Sequence, residues 1–137
     1  MKTGGCLCGA VRYELRGATT SVTYCHCSMC RRWHGHLGTY SAVERSDFVL
    51  TKDGSLKWYG SSEHIRRGFC GDCGSSLFFD DPSDSKIGLC AGSLDEPTGL
   101  RSTAHIYVAS KGDYYDLADD GLRRFDAAPE PRITGVR

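Results

Sequence analysis

Phe69-Cys70-Gly71-Asp72-Cys73-Gly74 sets two thiols three positions apart, with a glycine after each. Glycine permits the positive φ that a tight metal-binding turn often needs, so the hexapeptide reads as a zinc knuckle. A structural zinc takes four ligands, and this stretch offers two. A second pair lies upstream in Gly5-Cys6-Leu7-Cys8-Gly9. Residues i and i+2 of an extended segment face the same side, so Cys6 and Cys8 reach one ion together. Cys6, Cys8, Cys70 and Cys73 then form a closed four-thiolate site.

A third group, Cys25-His26-Cys27-Ser28-Met29-Cys30, contributes three thiols. Three protein ligands leave a fourth position for water or substrate, which distinguishes a catalytic zinc from a structural one. Cys25, Cys27 and Cys30 are accordingly read as an open site beside the closed one, giving two zinc ions in all. The competing arrangement closes this site too, with His26 or His34 as fourth ligand. His26 lies between two same-facing cysteines and in an extended strand points away from them. His34 follows Cys30 by four residues and reaches round if a helical turn begins there. Cys90, in the apolar run Ile87-Gly88-Leu89-Cys90-Ala91, reads as a buried small hydrophobe.

The wider composition agrees with metal rather than disulfide chemistry. Eight cysteines in 137 residues are about 6% of the chain, below the roughly 8–10% of disulfide scaffolds. The opening Met-Lys-Thr-Gly-Gly-Cys-Leu-Cys lacks the apolar run of a secretory signal. A reducing, cytoplasmic location is the expectation, and there paired cysteines more often hold metal. Seventeen basic and 17 acidic residues leave no net charge, which argues against a general nucleic-acid or anionic-membrane surface. No stretch approaches the ~20 apolar residues of a membrane span.

Elsewhere the sequence alternates short apolar–polar runs with glycine and polar turns. Val11, Tyr13 and Leu15 carry a period-two signal. Similar runs occupy Thr39–Val43, Phe48–Thr51, Ser55–Tyr59, His64–Phe69, Ser76–Phe79, Ile87–Ala91 and Ala104–Ala109. Lys52-Asp53-Gly54 and Asp80-Asp81-Pro82-Ser83 mark turns between them. The pattern predicts one mainly β domain with a short helical piece over Ser28–His34, Ser28 its N-cap. The stretch 126–137 is expected to be a weakly ordered tail. There is no Gly-rich phosphate loop and no G-x-S-x-G elbow. A redox dithiol would usually open a helix within a βαβ pattern, and that context is missing.

Taken together, these elements resemble the glutathione-dependent formaldehyde-activating enzyme family, whose fold is shared with the centromere protein V domain. The matching residues are Gly5–Tyr13, Cys25–Arg32, Phe69–Leu77, Ala91–Pro97, His105–Val108 and Gly121–Phe125. They place a single zinc-binding domain over residues 1–125. The resemblance implies small antiparallel β-sheets in a tent-like arrangement around structural zinc, with the same division of the cysteines. It also implies a carbon–sulfur lyase of the S-hydroxymethylglutathione synthase kind, acting on a small aldehyde and a thiol such as glutathione. Where the family often carries tryptophan, this chain has Tyr114 and Tyr115.

The residues suit such chemistry. Three thiolates on Zn²⁺ leave a net charge of −1, a softened Lewis acid better matched to another sulfur than to making a strong hydroxide. Arg31 and Arg32 follow the triplet directly, and either offsets thiolate charge or clamps a carboxylate of a glutathione-like tripeptide. His105 is a candidate general acid or base near the aldehyde oxygen. The alternative class is a catalytically silent, zinc-stabilised β module that presents a surface to a protein partner.

Overall fold

A computed structural model describes residues 1–128. The part of the expected tail from residue 129 onward lies outside the described residues. Strands β1 (Lys2–Gly5), β2 (Arg12–Leu15) and β5 (Phe48–Lys52) form a three-stranded antiparallel sheet in the order β1-β2-β5. The larger sheet has eight strands. From one edge they run β11 (Arg123–Arg124), β10 (Ser102–Ile106), β3 (Val22–Cys25) and β4 (Gly38–Glu44). Then come β9 (Lys86–Cys90), β8 (Ser76–Asp80), β7 (Arg66–Cys70) and β6 (Leu56–Gly60). Pairing is antiparallel except at β10, which lies parallel to both β3 and β11.

The principal core fills the space between the sheets. Alternation along β2 buries Tyr13 and Leu15 and leaves Arg12 and Glu14 half-exposed. These meet Val43, Leu77, Phe78 and Leu89 from the large sheet. Tyr13 and Phe78 pack edge-on, ring centroids 5.2 Å apart, a favoured aromatic geometry. A second, smaller core joins Tyr40, Ala42, Phe79, Cys90 and Ile106 to Cys25 and Cys30. Cys90 is thus a buried apolar filler, as the sequence suggests, and burial pushes its thiol up to about 11.

Among the described residues there is one α-helix, α1, which spans Ser28–His34 as expected, yet its N-cap is Cys27 rather than Ser28. Cys27 holds an extended backbone and its Sγ accepts the Cys30 amide at 3.2 Å, the part a Ser or Asp oxygen usually plays. Gly35 ends the helix with φ 83°, its N–H donating to the Arg31 carbonyl. Strand β10 stops at Ile106, short of the expected Ala109, because Tyr107 takes a left-handed φ of 56°. A 3-10 turn over Val108–Ser110 follows. Strand β3 carries no clear alternation, and the sequence gives no advance sign of it.

Candidate metal centres and active site

Both cysteine clusters assemble. The sulfurs of Cys6, Cys8, Cys70 and Cys73 lie within 4.8 Å of one another, and so do those of Cys25, Cys27 and Cys30. All eight cysteines are free thiols. In the first cluster Cys6 and Cys8 are 3.6 Å apart and Cys8 and Cys70 are 3.8 Å apart. Four sulfurs about 2.3 Å from a tetrahedral centre sit about 3.8 Å from each other, so the cluster has the dimensions of a zinc cage.

Two turns build that cage. Cys6 follows β1, and Cys8 sits in the turn beyond it, where Gly9 takes φ 81° and donates to the Cys6 carbonyl. The pair therefore converges through a turn and not through the extended segment that the spacing suggests. At the knuckle, Gly74 takes φ 80° and donates to the Cys70 carbonyl. Gly71 keeps an ordinary φ, so of the two knuckle glycines only Gly74 uses the left-handed region. The Ser75 hydroxyl, 3.2 Å away, holds the Cys73 thiol down to about 5. Cys70 and Cys6 are buried in the principal core, while Cys8 faces out.

The triplet is built on the end of β3 and the start of α1. Hydrogen bonds from Cys25, and then from Cys30, hold Cys27 well below the usual thiol range, whereas the same contact with Cys27 pushes Cys25 up. A cavity of about 500 Å³ opens over these sulfurs, walled by Met29, Ile65, Arg67, Phe79 and Tyr107. Among the described residues no fourth His, Cys, Asp or Glu joins the three. His34 is engaged elsewhere, its Nε2 2.5 Å from the Tyr40 hydroxyl. His26 turns away from the sulfurs.

The buried His26 ring lies in a relay that runs out to the surface at Asp120. Its Nε2 is 2.8 Å from His105 Nδ1, its Nδ1 is 2.6 Å from the Tyr115 hydroxyl, and His105 Nε2 is 2.8 Å from Asp120. A carboxylate only accepts. With both rings neutral, His105 therefore donates to Asp120, His26 donates to His105, and Tyr115 donates to His26. Burial, reinforced by His105, His36 and Lys111, pushes His26 down to about 4. His105 is thus brought beside the triplet's own histidine, with both ring nitrogens already partnered. Arg31 donates to the Ser110 carbonyl at 3.2 Å on the cavity rim. Arg32 faces an adjoining groove that shares Met29, Ser61 and Arg67 with the main cavity.

Sequence reasoning misses Arg67. Its side chain is 3% exposed, and its Nη1 donates to the Tyr40 hydroxyl at 3.0 Å. Its two terminal nitrogens lie 3.8 and 3.9 Å from Cys30 Sγ, and its Nε donates to Ser61. A signal existed: in a period-two reading Arg67 falls on the face of Ile65 and Phe69, a charge among apolar residues. Tyr115 and Asp120 gave no such sign, because both sit in irregular chain.

Among the described residues the molecule is thus a mainly β domain with largely antiparallel sheets of three and eight strands, one α-helix and two cysteine clusters able to hold metal. Its residues 1–110 match the model of the glutathione-dependent formaldehyde-activating enzyme, and the chain belongs to that family. An uncharacterized lyase of Schizosaccharomyces pombe is 29% identical over 77 residues, 56% of this chain and 55% of the relative. The matched segment thus spans about half the length of that curated relative. A crystal structure of a Rhodobacter sphaeroides protein shares the fold, with a TM-score of 0.59, 20% identity, and coverage of 90% of this chain and 98% of that one. No helix among the described residues is long and apolar enough to cross a membrane.

Proposed function

We propose that Cys25, Cys27 and Cys30 form the working centre of a carbon–sulfur lyase that adds a small aldehyde to a thiol, or removes it. Glutathione and formaldehyde, the pair that the family is named for, are the first candidates. The observation that carries this reading is the contrast between the clusters: four sulfurs closing a cage at one, three sulfurs under an open cavity at the other. On this reading Cys6, Cys8, Cys70 and Cys73 hold a structural zinc, and the triplet holds a second. When bound, that second zinc would favour the thiolate form of an incoming thiol.

The chain's own residues do the rest. Hydrogen bonds from Cys25 and Cys30 favour the thiolate form of Cys27, and the Cys30 amide fixes its sulfur, so the centre is arranged before substrate enters. Ile65, Phe79 and Tyr107 give the cavity an apolar wall against which the reacting carbon can rest. A carbon–sulfur bond forms as the carbonyl π pair moves to oxygen, and the proton lost from sulfur is regained there, so no further reactant is needed. Holding thiolate and aldehyde at contact distance supplies most of the required acceleration. The relay from Asp120 to Tyr115 keeps the Cys25–Cys27 backbone in place by fixing the ring between them. Arg32, in the adjoining groove, is positioned for a carboxylate of a peptide thiol that extends beyond the cavity.

Calorimetric titration of reduced glutathione into the zinc-replete protein tests the reading, with S-methylglutathione as the blocked-thiol control. The free thiol is expected to bind at least tenfold more tightly. Equal binding of both would move recognition from the sulfur to the peptide, and binding of neither would remove glutathione as substrate. A Cys27→Ser variant with full activity and full zinc content would also defeat the proposal.

A further inference from the structure

We infer that Arg67 is the fixed counter-charge of the three-cysteine cluster, and that it makes this site select an anionic sulfur over a neutral ligand. The inference rests on the thiol-binding reading given above.

A buried guanidinium is costly unless negative charge meets it. Arg67 is buried, and among the described residues it makes no ion pair with a carboxylate. One face lies over the Phe79 ring, 5.1 Å from its centroid. Its two oxygen partners are the Ser61 and Tyr40 hydroxyls, neutral groups that bring no counter-charge. The balancing charge must therefore come from the sulfur cluster, of which Cys30 is the member that Arg67 touches.

The charge count gives this contact a consequence. A divalent ion among three thiolates leaves −1. Water or an alcohol in the fourth position keeps −1, whereas a thiolate there takes the site to −2. A cation built into the wall favours the second outcome specifically. Arg67 also lines the cavity, on its Cys30 side, within reach of a charge that develops at the sulfur cluster. Binding breaks the thiol S–H bond. The sulfur would keep the electron pair and enter as the anion that Arg67 meets, and the proton would leave to the buffer.

The test titrates glutathione and 2-mercaptoethanol, a thiol without carboxylates, into zinc-loaded wild type, Arg67→Gln and Arg67→Lys. Zinc content and the thermal transition are recorded for each. Arg67→Gln is expected to weaken both thiols at least tenfold with zinc content unchanged, and Arg67→Lys to recover most of that loss. Thiol affinities of Arg67→Gln within twofold of wild type would overturn the inference while leaving the thiol-binding reading intact. Loss confined to glutathione would overturn it too, since Arg67 would then be a carboxylate clamp. If wild type binds neither thiol, the site reading fails and this inference falls with it. Should Arg67→Gln fail to fold, the ¹⁵N guanidinium resonance of Arg67 in wild type decides. It must shift on saturation with 2-mercaptoethanol, and an unmoved resonance overturns the inference.

Discussion

Around the triplet, two histidines are kept neutral by burial. His34, against Arg67 and the Tyr40 hydroxyl, is pushed down to about 4, as is His26. An unfolded histidine titrates near 6.5, so between about pH 6.5 and 4 the unfolded chain binds more protons than the folded one. Stability from these groups is full above about pH 6.5 and falls as the pH drops toward 4. Acid would also release any zinc the cysteines hold, and a comparison with His34→Gln isolates the histidine part. Between pH 7 and 5 the variant should lose about 1–2 kcal/mol less than wild type in urea unfolding. Identical pH slopes would show that His34 is not held neutral. At this scale the sequence reveals the two cysteine clusters well, because thiols two or three residues apart can be paired by spacing alone. It hides the residues that answer them. His105 is 79 positions from His26, Tyr115 is 89 from it, and Arg67 is 37 from Cys30. No local pattern encodes such contacts.

Elements carry these residues into place through a few backbone positions. Gly74 lets the knuckle between β7 and β8 close, and a Cβ there would meet no atom within 4 Å. Gly74→Ala therefore tests conformation free of any clash. It should cost about 1 kcal/mol of stability, and zinc at the four-cysteine cage should become more accessible to a chelator. Chelator kinetics equal to wild type would mean that the turn does not govern the cage. Helix α1 was readable in its bounds but not in its cap, since sulfur is rare in that role and Ser28 is the commoner choice. The short strands were readable where polar and apolar residues alternate, as in β2. They were unreadable where burial is continuous on both faces, as at Val22 and Thr23 of β3.

Across the whole molecule, the four-cysteine cage ties the small sheet to the large one. Cys6 and Cys8 extend from β1, whereas Cys70 ends β7, and the principal core lies between the two. Structural zinc contributes folding energy directly, so Cys70→Ser should abolish the cooperative thermal transition or lower it by more than about 10 °C. Cys30→Ser should shift the transition by only a few degrees and lose one zinc, as metal analysis would show. If both variants unfold alike, the two clusters do not divide structural and chemical work. The cage also sets a timetable. Cys8 and Cys70 stand 62 residues apart in the chain. At a synthesis rate of roughly 5–20 residues per second, the first pair of thiols waits several seconds for its partners to be made. During that interval Cys6 and Cys8 travel with the nascent chain without Cys70 and Cys73, so on the structural-zinc reading the cage closes only after β7 has been made.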